Sequence, residues 1–374
     1  MRVLLDATAV PADRGGVGRY VDELAPELDR AGVSLVLAVQ QRDVAHYASI
    51  VPGAEVVAAP ATIERRPVRM VWEQVGLPRL ARKVRADVLH SPHYTMPRRA
   101  GAPVVVTLHD ATFFTTPELH LRSKAVFFRS AIRTAVRSAQ GLVVPSRATR
   151  DEVLRLVGGD AAHFSVAYHG VDHALFGATS ATEQARVRAD LDIGDRPYVG
   201  FLGTLEPRKN VAALVRAWVR ACADRPDPPA LVLAGGKGWD TQIEAAVAEV
   251  PDHLTVRLPG YLPLADLPAF LGGAQVLAYP SLGEGFGLPV LEAMACGATV
   301  LTTRELSLPE VGGDAVAYCG TDVPSIATEL TALLDDPARR ARLSDSATAR
   351  AQEFTWARAA QTHVEAYERA IARA

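Results

Sequence analysis

Two glutamates set in a glycine-rich frame carry the strongest chemical signal in this chain: Ser281-Leu282-Gly283-Glu284-Gly285-Phe286-Gly287-Leu288-Pro289-Val290-Leu291-Glu292. A strand near Val276 to Tyr279 runs into this loop, and a helix opens near Leu288 with Pro289 in its first turn, where a missing N–H is harmless. Glu292 then sits about one helical turn inside. A carboxylate there can accept two hydroxyl hydrogen bonds from a ribose, while the amides of Gly285, Phe286 and Gly287 meet a sugar or phosphate. A helix start with acids favoured by its dipole explains each glutamate singly, but not both among so many glycines. Upstream, a strand near Val199 to Leu202 ends in Gly203-Thr204-Leu205-Glu206-Pro207-Arg208-Lys209-Asn210, and a helix begins at Val211. Adjacent cations at a helix N-terminus oppose its dipole unless an anion sits between them. Arg208 and Lys209 therefore read as a diphosphate clamp that neutralises charge on a phosphate leaving group; mere surface charge is the alternative.

Two further signals lie in the front half. Asp13-Arg14-Gly15-Gly16-Val17-Gly18-Arg19-Tyr20 follows the first strand, with Gly15 and Gly16 where a loop turns into a helix whose exposed N–H groups can cradle a phosphate. Its spacing is not GxGxxG, which argues against NAD, and an ordinary tight turn remains open. A strand near Val104 to Leu108 ends in His109-Asp110, placing an imidazole at the carboxyl edge of a sheet as a hydrogen-bond partner or proton handler, or as a structural residue.

The elements that must position these residues are short Val- and Leu-rich runs alternating with helical patterns, the signature of βαβ units and a parallel sheet buried on both faces. Strands are expected near Val3 to Ala7, Ser34 to Val39, Val56 to Ala58, Val88 to His90, Val104 to Leu108, Gly141 to Val144 and Phe164 to Ala167. The pattern restarts with strands near Val199 to Leu202, Ala230 to Ala234, Thr255 to Leu258, Val276 to Tyr279, Thr299 to Thr302 and Ala315 to Tyr318. The mixed segment from Gly177 to Pro197 marks the boundary between two α/β domains. With 374 residues the chain can bury two cores.

Three cysteines (Cys222, Cys296, Cys319) give neither a disulfide framework nor metal-ligand spacing. An acid at Asp6 interrupts the opening apolar run too early for a signal peptide, so the expected location is cytoplasmic. Asp190-Leu191-Asp192 is the one DxD considered as a metal site; it falls at the expected boundary, and no catalytic metal is expected. The net charge of -2 divides into +5 over residues 1–180 (22 Lys+Arg against 17 Asp+Glu) and -7 over the rest (18 against 25). Without an aromatic stacking stripe this excludes nucleic-acid binding. Basic residues cluster from Arg65 to Arg85 and again around Arg122, Lys124, Arg129, Arg133 and Arg137. The latter three recur along one helical face, opposite Leu121, Ala125, Phe128, Ile132 and Val136. Such a helix either packs on a core with a solvated Arg face or touches an anionic lipid surface at the inner face of the membrane.

Taken together, the EGFGLPVLE element, the GTLEPRKN run and the GGVGRY loop resemble the retaining GT-B glycosyltransferases of glycosyltransferase family 4, in particular bacterial mannosyltransferases. The resemblance spans the chain: Val144-Pro145-Ser146, Tyr168-His169-Gly170-Val171-Asp172 and Gly260-Tyr261-Leu262 also fit. It implies two Rossmann-like domains facing each other across a cleft. One covers 1–180, with the final helix 355–374 packing back on it; the sugar-nucleotide donor domain covers 195–354. By resemblance Glu284 holds donor-sugar hydroxyls, Glu292 the ribose, and Arg208 and Lys209 the diphosphate. Gly16 brings amides to the same phosphates from the other domain, and His109 faces the sugar. The family transfers a sugar with retention, and a donor phosphate oxygen can take the acceptor proton, so no protein nucleophile is required. The donor is a nucleotide sugar, GDP-mannose favoured over UDP-sugars, without a further cofactor. The acceptor is a glycan, a lipid-linked glycan or a small molecule. An epimerase or phosphorylase on the same scaffold, or a non-catalytic sugar-nucleotide-binding module, is the alternative.

Overall fold

The computed structural model describes residues 1–12, 14–117 and 120–374. They form two compact units, Met1–Gly170 with Thr355–Ala374, and Val171–Phe354. In the first unit β1 (Arg2–Asp6), β2 (Ser34–Val39), β3 (Glu55–Ala58), β4 (Val88–Ser91), β5 (Val104–Thr107), β6 (Gly141–Val144) and β7 (Phe164–Val166) pair in the order β3-β2-β1-β4-β5-β6-β7. Every one of these pairings is parallel. The helices are α1 (Gly16–Arg30), α2 (Val44–Ile50), α3 (Arg66–Lys83), α4 (Thr112–Thr115), α5 (Arg122–Ser138) and α6 (Arg147–Val157).

The second unit opens with α7 (Ala181–Asp190), followed by β8 (Tyr198–Leu202), α8 (Val211–Cys222), β9 (Ala230–Ala234), α9 (Gln242–Ala248), β10 (Val256–Gly260) and α10 (Leu267–Gly273). It continues through β11 (Val276–Tyr279), α11 (Leu288–Ala295), β12 (Val300–Thr303), α12 (Leu308–Gly312), β13 (Ala317–Cys319), α13 (Val323–Asp335) and α14 (Pro337–Ala351). Its parallel sheet runs β10-β9-β8-β11-β12-β13. Both sheets therefore have the doubly wound order of a dinucleotide fold, with a reversal beside the first strand of each. The central strands are buried on both faces, which is why they read as unbroken Val/Leu runs.

The chain passes between units at Gly170–Val171, ahead of the expected boundary. The segment from Gly177 to Pro197 is not a linker: α7 fills much of it, opened by Ser180, whose hydroxyl caps Glu183 N while Glu183 returns to Ser180 N. This helix packs on α10. The final helix, α15 (Trp356–Ala372), belongs to the first unit, where it lies along α1 and against β6. Gly170 allows its entry, since a Cβ there would lie 2.1 Å from Trp356 N. No helix among the described residues is long and apolar enough to cross a membrane.

The sequence reading of α5 holds for Ala125 and Ile132, which are buried, and for Arg133 and Arg137, which are exposed, and it departs at Arg129 and Leu121. Arg129 is half-buried, its Nε donating to Phe113 O at 2.6 Å, and Arg133 lies over the Phe114 ring at 5.1 Å. Leu121, expected on the covered face, is 67% exposed, as is Val126. The turn formed by α4 takes up Arg129, while Arg133 and Arg137 stay exposed.

Candidate functional site

At the point where a doubly wound sheet reverses, the loops leaving two adjacent strands part and open a crevice. In the second unit these strands are β8 and β11, paired through Val199↔Val276 and Gly200↔Leu277. The loop after β8 carries Arg208 and Lys209; the loop after β11 carries Glu284. Glu284 is buried, and both its oxygens are engaged: Oε2 faces Arg208 Nη1 at 2.5 Å, and Oε1 accepts from Lys209 Nζ at 2.7 Å, Ser281 Oγ at 2.7 Å and Tyr279 OH at 3.0 Å. Arg208 also donates to Gly283 O at 2.6 Å and lies 3.9 Å from Glu206. Lys209 donates to Tyr279 OH as well. Burial alone would raise the Glu284 carboxyl, but the Arg208 and Lys209 charges and their hydrogen bonds outweigh it and hold it at about 2. Lys209 is drawn below its ordinary value by burial and by the Arg208 charge, against the pull of Glu284 and Glu206. An incoming anion would relieve that strain on the lysine.

The frame around this cluster is held by hydroxyls that the motif reading did not single out. Thr303 Oγ1 donates to Ser281 O at 2.7 Å, and Ser307 Oγ to Glu284 O at 2.8 Å and Phe286 O at 3.0 Å. Leu282 N donates to Arg208 O at 2.9 Å, tying the two loops together. Gly287 has φ +102°, a left-handed turn open to glycine, and starts α11. Glu292, on the next turn, is 1% exposed. Gly203 follows β8 with φ +156° and donates its N–H to Ala234 O at 2.9 Å. Asn210 takes the left-handed conformation at φ +59°, which an Asn tolerates, and its side chain donates to Thr321 O at 2.8 Å.

A third loop, Gly235-Gly236-Lys237-Gly238 after β9, completes the crevice and was not anticipated. A Cβ at Gly235 would stand 2.1 Å from Gly203 O, and one at Gly238 2.0 Å from Leu205 O. Glycines are required here because two backbones run in contact. Three glycines within four residues directly after a strand were the available signal.

In the first unit the reversal falls between β1 and β4. Gly15 precedes α1 and Gly16 begins it, and a Cβ on either would meet nothing within 4 Å. Packing does not demand glycine there. Arg14 pins the loop through Asp22 at 2.5 Å and Asp43 at 2.7 Å; Asp13 lies outside the described residues. His109, just beyond β5, presents Nε2 to Pro92 O at 2.7 Å, so that nitrogen carries the proton and Nδ1 is the acceptor of the neutral ring. Burial pushes the His109 pKa down, against the Pro92 carbonyl and Asp110. Asp110 is spent on α4, accepting from Thr112 N at 3.2 Å and Thr112 Oγ1 at 2.9 Å. Asp190 and Asp192, the considered metal pair, each face an arginine instead: Arg186 at 3.0 Å and Arg257 at 2.9 Å. The three cysteines are free thiols whose pKa values burial raises, to about 11 for Cys222 and about 12 for Cys296 and Cys319.

Two doubly wound parallel units, the second with a charged crevice at its strand reversal, define the GT-B class of glycosyltransferases. Residues 14–175 match the profile of Glycosyltransferase Family 4, and residues 183–350 that of Glycosyl transferases group 1. The chain is 27% identical to O-antigen chain mannosyltransferase B of Escherichia coli, over 98% of this chain and 100% of that protein. It is 30% identical to the D-inositol 3-phosphate glycosyltransferase of Kineococcus radiotolerans, over 96% of this chain and 91% of that one. Among solved structures, HepE of Anabaena with UDP and glucose is similar in fold, with a TM-score of 0.76 at 20% identity over 98% of both chains. Sucrose-phosphate synthase of Thermosynechococcus elongatus has a TM-score of 0.79 at 21% identity over 100% of both. The chain belongs to glycosyltransferase family 4, and it is a glycosyltransferase.

Proposed function

We propose that this glycosyltransferase moves a hexose, mannose in the favoured reading, from a nucleoside-diphosphate sugar to an acceptor hydroxyl with retention of anomeric configuration. The observation that carries the proposal is the buried Arg208–Lys209–Glu284 cluster at the strand reversal of the second unit. Glu284 there stands in for an anion. When a diphosphate takes Arg208 and Lys209, the Glu284 oxygens are released to accept sugar hydroxyls, and the two cations stabilise the charge that grows on the leaving group. Glu292 receives the ribose hydroxyls, and Gly203 and the loop from Gly285 to Leu288 line the nucleotide. In the first unit the unfilled space over Gly15 and Gly16 admits a phosphate close to the backbone, and His109 Nδ1 accepts a sugar hydroxyl. Two side-chain cations supply what a metal would otherwise supply, so the reading needs none. Among the described residues Glu284 engages two cations and no second acid, whereas a glycosidase would require a paired carboxyl. A donor phosphate oxygen taking the acceptor proton fits that absence.

GDP-mannose is favoured by the GTLEPRKN run and by the similarity to an O-antigen chain mannosyltransferase. The test is nucleoside-diphosphate release from GDP-mannose, UDP-glucose and related donors with glycan and inositol-phosphate acceptors, with the anomeric configuration of the product read by proton NMR. An inverted product refutes retention, and release from UDP-sugars alone refutes the mannose assignment. A second reading concerns the acceptor. Leu121 and Val126 are each 67% exposed beside Arg122 and Lys124, and Val71 on the basic α3 is 64% exposed, the pattern of a face that rests on anionic lipid carrying the acceptor.

A further inference from the structure

Five side chains that play no part in the proposed donor chemistry form a continuous buried chain of hydrogen bonds in the first unit. Tyr367 OH lies 2.8 Å from His90 Nδ1, and His90 Nε2 lies 2.8 Å from Thr107 Oγ1. Thr107 Oγ1 is 2.9 Å from Tyr20 OH, Tyr20 OH is 2.7 Å from His363 Nε2, and His363 Nδ1 is 2.6 Å from Ala359 O. All five side chains are 0% exposed.

The direction of every bond follows from one end. The Ala359 carbonyl can only accept, so His363 Nδ1 carries its proton and, in a neutral ring, Nε2 must accept from Tyr20. Tyr20, having donated, accepts from Thr107. Thr107, having donated, accepts from His90 Nε2–H, which leaves His90 Nδ1 to accept from Tyr367. Each hydroxyl donates once and each imidazole is neutral, with opposite tautomers at His90 and His363. Burial, the dominant influence on both, lowers the His90 pKa well below its ordinary value and that of His363 to about 4, which agrees with neutral rings.

The placement of the chain gives it a purpose beyond stability. Both ends rest on α15, while the middle links β4, β5 and α1. Thr107 is the last residue of β5, just ahead of His109, and the Tyr20 ring meets the His109 ring edge-on at 5.0 Å and 85°. Tyr20 also stands one helical turn beyond Gly16. An apolar core would hold α15 equally well; a fully satisfied directional network fixes a single register, because any slip leaves buried polar atoms unpaired.

We propose that the Tyr367–His90–Thr107–Tyr20–His363 chain is a positioning device through which the C-terminal helix sets the His109 ring and the start of α1 for sugar transfer. The inference rests on the reading that His109 and the Gly15–Gly16 loop face the donor.

The test uses the full chain, with Tyr20→Phe, Thr107→Val and Thr107→Ser assayed well below the melting temperature of each variant. Tyr20→Phe keeps the ring against His109 and removes only the hydroxyl. The expected result is a fall in kcat of up to about 100-fold for Tyr20→Phe and Thr107→Val, at unchanged donor KM and unchanged nucleoside-diphosphate Kd, with Thr107→Ser recovering most of the loss. Wild-type kcat in both variants, or a loss confined to donor KM, overturns the proposal. Imidazole nitrogen NMR on the wild-type protein gives a second reading that survives misfolding variants: His363 protonated at Nδ1 and His90 at Nε2 is expected, and a shared tautomer overturns the proposal. Should wild-type protein neither bind a nucleoside diphosphate nor turn over any nucleotide sugar, the donor reading itself fails; opposite tautomers would then still show the chain while removing its purpose.

Discussion

Replacing Glu284 with glutamine removes the carboxylate shared by two buried cations while retaining nearly the same shape. Holding the Glu284 carboxyl at about 2 instead of 4.5 corresponds to about 3 kcal/mol of preference for its charged form. That agrees in scale with the roughly 3–5 kcal/mol lost when one partner of a buried ion pair is removed. Glutamine can still accept from Tyr279 and Ser281, but Arg208 and Lys209 both lose the carboxylate that neutralises them. For a unit of 184 residues (354 − 171 + 1), about 3 kcal/mol lowers the melting transition by roughly 6–12 °C. The assay is thermal unfolding of the full chain at pH 7, with and without saturating nucleoside diphosphate. The variant should melt earlier and gain more from the nucleotide than the wild type does, because its cations lack their internal anion. A melting curve within about a degree of wild type, or an equal gain from the nucleotide in both proteins, would refute the assignment of Glu284 as the counterion that a diphosphate replaces.

Other consequences follow from the same geometry. Gly238→Ala puts a Cβ 2.0 Å from Leu205 O and forces the β8 and β9 loops apart; a loss of about 1–3 kcal/mol is expected, with weaker nucleoside-diphosphate binding by titration calorimetry. Wild-type affinity would show that these loops do not shape the nucleotide site. His363 titrates at about 4 in the folded chain against 6.5 ordinarily, so the unfolded chain takes up a proton that the folded one refuses. Its contribution, about 3 kcal/mol at most, is present above pH 6.5 and is lost as pH falls toward 4. Urea melts of the first unit should show that decline, and a flat profile would contradict it. Removing Arg122 and Lys124 together with Leu121 and Val126 should weaken sedimentation with anionic vesicles while leaving nucleotide binding unchanged; unaltered sedimentation rules out that face as the lipid contact.

The strands were open to reading because a parallel sheet buried on both faces writes itself as short Val- and Leu-rich runs, and each expected strand has its counterpart in the two sheets. The unit boundary was not, because Gly, Ser and Thr around 177–182 look like a linker. Ser180 with Glu183 three residues on is nonetheless a capping box, and it begins a helix. Glu284 and Arg208 were each identified by local frame, but their ion pair was invisible, since only the strand order brings β8 beside β11. On α5 helical periodicity rightly placed Ala125 and Ile132 inward and Arg133 and Arg137 outward, but it also placed Leu121 inward and Arg129 outward. The carbonyl of Phe113 and the ring of Phe114 take the arginines, a tertiary contact that no periodicity encodes. The histidines at 90 and 363 gave no signal at all, being far apart in the chain and joined only where α15 returns to the first unit.

The central claim is that the second unit holds a nucleoside-diphosphate sugar through the crevice between β8 and β11. Thermal-shift measurement of the full chain against GDP, UDP, ADP, dTDP, GDP-mannose and UDP-glucose, repeated on Glu292→Ala, tests it most directly. Stabilisation by a single nucleotide series, the guanine one in the favoured reading, and its loss in the variant are predicted. Stabilisation by none of the six in the wild-type protein, or an undiminished response in Glu292→Ala, would contradict the account.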